Sequence, residues 1–139
     1  MKKFILFFTL LMLLCFSMGT WAADELKATL DFTSNDAWNL PVGSNAGLTD
    51  ENSYSDGTYT IKLSATTKYY YNTAGYLMLG KTDSKLTLPA FSWKTTKIVV
   101  IGKSGASSTV GQNIYVGSTA VSTATTGAAG SNTYNINNR

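Results

Sequence analysis

Cysteine and histidine are nearly absent from this sequence of 139 residues, and their absence restricts the chemistry that the protein can perform. The single cysteine is Cys15, close to the N-terminus, and the sequence contains no histidine. A chain with one cysteine cannot form an internal disulfide, and the part after Cys15 has no thiolate nucleophile. Without histidine, the chain also lacks the commonest general base and the commonest metal ligand of proteins.

Charged residues are scarce as well, at 14% of the chain. After residue 22 there are nine basic and eight acidic side chains, and the lysines are scattered, which argues against a nucleic-acid partner. No spacing marks a catalytic pair of carboxylates. The acids considered for such a pair are Asp31, Asp36, Asp50, Glu51, Asp56 and Asp83. We therefore predict a protein that is not an enzyme and that needs no cofactor or metal.

The first 22 residues are organised like a secretory signal. Two lysines at positions 2 and 3 are followed by an uncharged, mostly apolar run, and Thr20 and Ala22 place small residues before a cleavage site. The apolar run is shorter than the roughly 20 residues of a membrane-spanning helix. A lipid anchor on Cys15 is disfavoured because bulky Leu14 precedes it. We expect cleavage before Ala23, which leaves 117 residues, the size of one domain, secreted or at the cell surface without a membrane span.

Apolar and polar residues alternate along much of the remaining chain, which is the pattern of half-buried β-strands. Alternating stretches occur at residues 26–32, 58–63 and 86–88, and no stretch shows a helical stripe. Residues 41–50 are predicted to form a long surface loop, and residues 123–132 a loop or a flexible linker. Many short strands separated by turn residues indicate a β-sandwich or barrel.

Three further segments of the C-terminal half predict strands. Residues 98–101 are β-branched and apolar on both faces, so we predict a central strand with Val100 buried. Residues 114–116 and 120–122 flank a Gly-Ser-Thr turn and predict a hairpin. Residues 134–136 predict a last short strand.

Two stretches resemble ligand-binding loops, and we interpret both as strand and turn. Residues 75–82 match the phosphate-loop pattern G-x-x-x-x-G-K-[ST] in full. Such a loop has to open a helix, whereas residues 76–79 predict a strand and residues 83–89 a turn and another strand. Residues 50–57 resemble a calcium loop, but Tyr54 stands at the third ligand position and the glycine is shifted. We predict a surface turn there; calcium held by one or two carboxylates and backbone carbonyls is the alternative.

Aromatic side chains are the class that points most clearly to function. Tyrosines occupy positions 69–71 in succession, and neighbours on a strand face opposite sides, so at least one of the three rings should be exposed. Exposed rings beside amides suit sugars, because a ring stacks on C–H groups and an amide bonds hydroxyls. The alternative is that these tyrosines only occupy half-buried strand positions. We expect Trp38 and Trp93 in the core. The predicted ligand-binding residues are the exposed members of Tyr69, Tyr70, Tyr71 and Tyr76, together with Asn72.

Several segments of the chain after the signal resemble a known family, and the resemblance extends over nearly all of that part of the chain. They are residues 75–81 (GYLMLGK), 86–91 (LTLPAF), 97–106 (KIVVIGKSGA) and 112–117 (QNIYVG), after an opening with Asp31-Phe32, Trp38 and Pro41. The chain resembles the N-terminal β-sandwich modules of secreted proteins from gut anaerobic bacteria, which are similar to galactose-binding-like jelly rolls and carbohydrate-binding modules. The resemblance implies a jelly-roll fold and says little about the ligand. Such modules continue with further strands, so we expect either a truncated product or a fragment of a longer protein with further domains.

The combined prediction is an all-β protein, with a signal-peptide helix over residues 1–22 and a jelly-roll type antiparallel β-sandwich over residues 23–139. We expect a secreted, non-catalytic binding module whose partner is a glycan. The alternative is a structural or adhesion module of a larger surface protein that binds no small molecule.

Overall fold

The computed structural model describes residues 25–80, 83–102, 111–120, 125–126 and 130–136. The chain divides into two units, Met1–Leu30 and Asp31–Arg139. The predicted signal peptide lies outside the described residues. Residues 25–30 of the first unit have no regular secondary structure. In the described part of the chain, no helix has the length and hydrophobicity that crossing a membrane requires.

The second unit is built from antiparallel β-strands, which confirms the all-β class. The only helical segment in the described ranges is a short 3-10 turn at Ser44–Ala46. The strands are β1 (Asn52–Ser55), β2 (Thr60–Ser64), β3 (Tyr69–Asn72), β4 (Tyr76–Leu79), β5 (Lys85–Thr87), β6 (Lys97–Gly102), β7 (Gly111–Gln112), β8 (Tyr115–Val116), β9 (Thr119–Ala120), β10 (Thr125–Thr126) and β11 (Gly130–Asn135). They pair as a three-stranded sheet β1-β2-β5 and as four two-stranded sheets, β3-β4, β6-β11, β7-β10 and β8-β9.

The three-stranded sheet has one buried and one solvated face, as the alternation in β2 predicts. Ile61 and Leu63 are fully buried, whereas Lys62 between them is exposed. Tyr54 of β1 lies opposite Ile61, and Leu86 of β5 lies opposite Leu63. Because directly opposite residues share a face, these side chains form one inward-facing apolar layer.

The hairpin β3–β4 is closed by a three-residue turn that depends on one asparagine and one glycine. The Asn72 carbonyl accepts the Gly75 N–H at 2.9 Å, and the Asn72 Oδ1 accepts the Ala74 N–H at 2.9 Å. Gly75 has a φ of 82°, a conformation that suits glycine. A Cβ at this position would lie 3.2 Å from the carbonyl oxygen of Thr33, so space also favours glycine here.

The segment predicted as a loop at 41–50 lies along the other edge of β3. Tyr69 and Leu48 exchange two backbone hydrogen bonds, of 2.8 and 3.1 Å. Tyr71 donates its N–H to the Pro41 carbonyl at 2.8 Å and accepts the Gly43 N–H at 2.9 Å. The loop is therefore tied to β3 at both ends, and β3 has hydrogen-bond partners along both edges.

The buried apolar side chains of the second unit come from the segment before β1, from β2 and β3, from β11, and from the residues that directly follow β2 and β11. Trp38 is 3% exposed and donates its indole N–H to the Asp31 carbonyl at 2.7 Å, so it is a core residue as predicted. Trp93 is half-buried and does not belong to the core, contrary to expectation. The buried apolar residues among those described are Trp38, Leu40, Ile61, Leu63, Ala65, Tyr69, Tyr134 and Ile136.

The prediction of a central strand with Val100 buried is wrong. In the described structure β6 pairs with β11 alone, and Val100 is only half-buried. Val99 and Ile101, on the opposite face of the strand, are 49% and 80% exposed. Only the inner face is covered, where Ile98 lies opposite Tyr134, which is 2% exposed. A run that is apolar on both faces predicts a strand covered on both sides, but the face of β6 that carries Val99 and Ile101 is exposed.

Three other strand predictions meet different outcomes. The predicted hairpin is confirmed as β8–β9, with Gly117 at a φ of 60° in a two-residue turn, and residues 121 and 122 of its predicted second strand lie outside the described residues. The strand predicted at 26–32 is not formed, because alternation alone provides no hydrogen-bonding partner. The stretch 123–132 is not simply a loop, since β10 lies within it and β11 begins there. That last strand is therefore longer and earlier than the predicted 134–136.

Candidate functional site

The register of the β3–β4 hairpin divides the tyrosine cluster between two faces. Tyr70 lies opposite Met78 and Asn72 opposite Tyr76, whereas Tyr69 lies opposite Leu79 and Tyr71 opposite Leu77. Opposite residues share a face and successive residues alternate. One face therefore carries Tyr70, Asn72, Tyr76 and Met78, and the other carries Tyr69, Tyr71, Leu77 and Leu79. We call the first of these the β3–β4 outer face.

Tyr69 is a core residue and cannot contact a ligand. Its side chain is 0% exposed and reaches β1 of the other sheet. Its hydroxyl donates to the Asp50 carbonyl at 3.1 Å and accepts the Asn52 side-chain N–H at 2.9 Å, with the Tyr54 hydroxyl 3.1 Å away. Burial, and then the hydrogen bond to Tyr69, raise the pKa of Tyr54 well above its usual value. The predicted ligand role of Tyr69 is thus corrected to a structural one.

Tyr71 also has a structural partner. It lies on the same face as Tyr69, is half-buried, and donates its hydroxyl to the Thr33 carbonyl at 2.8 Å. That bond joins β3 to the chain before Trp38, 38 residues earlier in the sequence. The hydroxyl of Tyr71 is therefore engaged within the protein, and its side chain does not belong to the β3–β4 outer face.

Tyr70 and Tyr76 differ from these two tyrosines in their hydroxyl groups. Both rings are half-buried, and neither hydroxyl has a hydrogen-bond partner among the described residues. No side-chain nitrogen or oxygen is buried without a partner in this part of the chain, so both hydroxyls reach solvent. The two rings are diagonal neighbours on the outer face, within reach of a single small ligand.

Asn72 and Met78 complete the β3–β4 outer face. The Oδ1 of Asn72 is occupied by the Ala74 N–H, which fixes the orientation of the amide and leaves its Nδ2 as a donor. Met78 adds an apolar, polarizable thioether directly opposite Tyr70. The face therefore combines two rings, an oriented amide donor and an apolar patch, and it carries no charge.

One border of this face is formed by the loop along β3. Lys68 lies next to it, but its ammonium donates to the Ser44 carbonyl at 2.9 Å and to the Ser44 hydroxyl at 3.0 Å. A Cβ on Gly47 would lie 3.2 Å from the ring of Tyr70, so the bare backbone of Gly47 borders that ring closely. The Lys68 ammonium is thus held by the loop rather than directed at the face.

The described residues of the two motif-like stretches form strand and turn, and residues 81 and 82 of the first stretch lie outside them. Residues 76–79 form β4, and the described residues that follow lead through a turn to β5, so no helix opens there. In the calcium-like stretch, β1 occupies 52–55 and the turn lies at 56–59. The Asp56 carboxylate accepts the N–H groups of Tyr59 and Thr58 at 2.7 and 2.9 Å, which lower its pKa. Within the described ranges, no three acidic side chains gather as metal ligands.

A second group of aromatic rings was not predicted as a site. Phe91 stacks on Trp93 with ring centroids 4.8 Å apart, and Tyr59 meets Phe91 edge-on at 5.9 Å. The spacing of Phe91 and Trp93, two positions apart, could have placed them on one side of an extended chain. Tyr59 lies 32 residues earlier, and the sequence gives no signal that would join it to them.

Comparison of the chain with protein-family models, with curated proteins and with solved structures gives no significant match. The resemblance to secreted β-sandwich modules therefore stays a prediction.

Proposed function

We propose that this protein is a secreted, non-catalytic binding module that holds a neutral glycan on the β3–β4 outer face. The observation that carries this proposal is the division of the tyrosines. Tyr69 and Tyr71 use their hydroxyls inside the protein, whereas Tyr70 and Tyr76 present rings and free hydroxyls beside the Asn72 amide. A pyranose offers C–H groups to the rings and hydroxyls to the amide and phenols.

We further propose that the sheets form a jelly-roll type sandwich. The supporting observation is that Tyr69 of β3 makes an edge contact with Tyr54 of β1, with ring centroids 6.0 Å apart. The face of β3–β4 that carries Tyr69 is therefore turned towards the three-stranded sheet. The outer face, with Tyr70 and Tyr76, is the side of the hairpin turned away from that contact.

The affinity expected of such a face is weak. Two half-buried rings and a few hydrogen bonds stabilise the complex, and the ligand's loss of translational, rotational and conformational freedom offsets part of that stabilisation. We therefore expect dissociation constants on the order of micromolar to millimolar. Because the face carries no charge and the chain has no histidine, we expect binding to vary little with salt, or with pH between about 5 and 8.

Removal of either ring is expected to weaken binding. In calorimetric titrations with neutral hexasaccharides of glucose, xylose, mannose or galactose units, Tyr70→Ala and Tyr76→Ala should each reduce affinity roughly 3- to 10-fold, the value of one ring contact. Tyr115→Ala is the matched control, because Tyr115 is a tyrosine of another hairpin that is 56% exposed. We expect the Tyr115→Ala protein to bind the saccharides with the affinity of the parent protein.

The opposite pattern would contradict the proposal: Tyr70→Ala and Tyr76→Ala proteins that both keep the affinity of the parent protein, or an equal loss of affinity in the Tyr115→Ala control. Failure of every saccharide to bind would favour the second candidate function, a structural or adhesion module. One observation supports that alternative. Val99 and Ile101 form an exposed apolar pair on the outer face of β6, which is a surface suited to protein contact.

The proposal of secretion predicts a processed N-terminus. The exported protein should begin at Ala23 or Asp24, because small residues at positions 20 and 22 follow an apolar run and two lysines. Mass spectrometry of protein recovered from the medium or the cell surface checks this. Recovery there of chains that still begin with Met1 would show that the segment is retained.

A further inference from the structure

We propose that a second surface, the aromatic cluster formed by Tyr59, Phe91 and Trp93, binds a pyranose ring independently of the β3–β4 outer face. The three side chains come from two separate parts of the chain, the turn before β2 and the segment after β5. Phe91 is the central ring, stacked on Trp93 at 4.8 Å with an interplanar angle of 24° and touched edge-on by Tyr59. All three side chains are half-buried.

The turn that carries Tyr59 holds it in a fixed position. Its N–H donates to the Asp56 carboxylate at 2.7 Å, and its carbonyl accepts the Ser55 hydroxyl at 3.0 Å and the Asp56 N–H at 3.2 Å. Both backbone groups of Tyr59 are thus engaged within the turn. A ring attached to such a backbone loses little further freedom when a ligand binds.

The two tryptophans after the signal differ in how their indole N–H groups are used. Trp38 is buried and its N–H is bonded to a carbonyl. Trp93 is half-buried, and its N–H has no partner among the described residues; the same holds for the hydroxyl of Tyr59. Neither polar group is buried. Two hydrogen-bonding groups beside stacked rings are therefore available to a ligand.

The chemistry of the cluster selects among ligand classes. A cation held by an aromatic cage needs space between the rings, whereas these rings contact one another at 4.8 and 5.9 Å. A purely apolar ligand would leave the Trp93 N–H and the Tyr59 hydroxyl without partners and would desolvate them at a cost. A pyranose ring satisfies both needs, because it stacks through its C–H face and exchanges hydrogen bonds through its hydroxyls.

Tryptophan fluorescence tests this proposal apart from the β3–β4 outer face. The titration uses the processed protein carrying Tyr70→Ala and Tyr76→Ala, with the same four neutral hexasaccharides at up to about 10 mM. In that protein Trp93 is the accessible fluorophore, since Trp38 is 3% exposed. We expect a saturable change in emission and protection of Trp93 from iodide quenching. No response to any of the four saccharides would overturn the proposal.

A second experiment removes the ring of Tyr59 and keeps Trp93 in place as the fluorescent reporter. Tyr59→Ala, added to the same protein, should weaken binding roughly 3- to 10-fold, while Tyr115→Ala should leave it unchanged. If the Tyr59→Ala protein does not fold, Tyr59→Phe removes the hydroxyl alone, and we then expect a loss of about 3-fold. Unchanged affinity in the folded variant would overturn the assignment of the ligand to this cluster.

Discussion

Replacement of Tyr69 by alanine is expected to lower the free energy of unfolding by about 3–5 kcal/mol, the range seen when a large buried aromatic side chain is truncated. Tyr69 is 0% exposed, and its hydroxyl joins β3 to Asp50, Asn52 and Tyr54. A domain with a total stability of roughly 5–15 kcal/mol loses a large share of it through such a change. Chemical denaturation followed by circular dichroism measures the difference.

The neighbouring tyrosine is the matched control for this experiment. Tyr70 is half-buried on the outer face, so Tyr70→Ala should cost about 1 kcal/mol or less. Tyr69→Phe keeps the ring but leaves the Asp50 carbonyl and the Asn52 amide with one partner fewer, so we expect an intermediate cost of about 1–3 kcal/mol. Equal losses of unfolding free energy in Tyr69→Ala and Tyr70→Ala would show that the assignment of Tyr69 to the buried face and Tyr70 to the outer face is wrong.

Substitution of Gly80 by alanine should destabilise the protein by about 1–3 kcal/mol through overpacking. A Cβ at Gly80 would lie 2.7 Å from the carbonyl oxygen of Lys68, the same oxygen that accepts the Gly80 N–H at 2.9 Å. The hydrogen bond and the close approach cannot both persist once a methyl group is present. The cost is steric, since Gly80 is not among the glycines with positive φ.

A Gly57→Ala variant separates the cost of a steric clash from the cost of an unfavourable backbone conformation. Gly57 has a φ of 91°, and a Cβ there would meet nothing within 4 Å, so Gly57→Ala introduces strain in the backbone without a clash. We expect a loss of about 1 kcal/mol at Gly57. Thermal melting of the two variants compares them. A Gly80→Ala protein that melts at the temperature of the parent would contradict the close packing of Gly80 on Lys68.

Alternation of apolar and polar residues was sufficient to locate strands that have one buried face and one solvated face. β2 and β5 were predicted from the alternation at residues 58–63 and 86–88, and the β8–β9 hairpin was predicted because a turn that begins at Gly117 separates its strands. Within the phosphate-loop-like stretch, the apolar residues 76–79 likewise predicted a strand, and β4 occupies them. In each of these cases the local pattern and the local structure agree.

The sequence could not determine what depends on pairing between distant segments. Three successive tyrosines place two rings on one face and one ring on the other whatever the register, and only the pairing with β4 and the contact with β1 make Tyr69 a buried one. β11 was partly missed because its Gly, Ser and Asn residues carry no apolar alternation; its pairing partner β6 supplies the ladder. The central-strand prediction for β6 failed because apolar composition does not reveal how many layers cover a strand.

The candidate site was predicted only in part, because it too depends on pairing and contacts between separate segments of the chain. Tyr70, Asn72 and Tyr76 were identified by composition, and the register brings them to one face. Met78 was not identified, since nothing in the sequence distinguishes it from a core residue. The aromatic cluster was missed because Tyr59 reaches Phe91 only through the folding of the chain.

The position of Met78 allows the most direct test of glycan binding on the β3–β4 outer face. After removal of residues 1–22 it is the only methionine, and it lies directly opposite Tyr70. Carbon-13 labelling of methionine methyl groups therefore yields a single NMR signal from the centre of the face. During titration with a hexasaccharide that binds, we predict a saturable shift of this signal, which is lost in the Tyr70→Ala/Tyr76→Ala protein. Saturable binding measured by calorimetry on the unsubstituted protein, with a Met78 signal that does not move, would contradict the account.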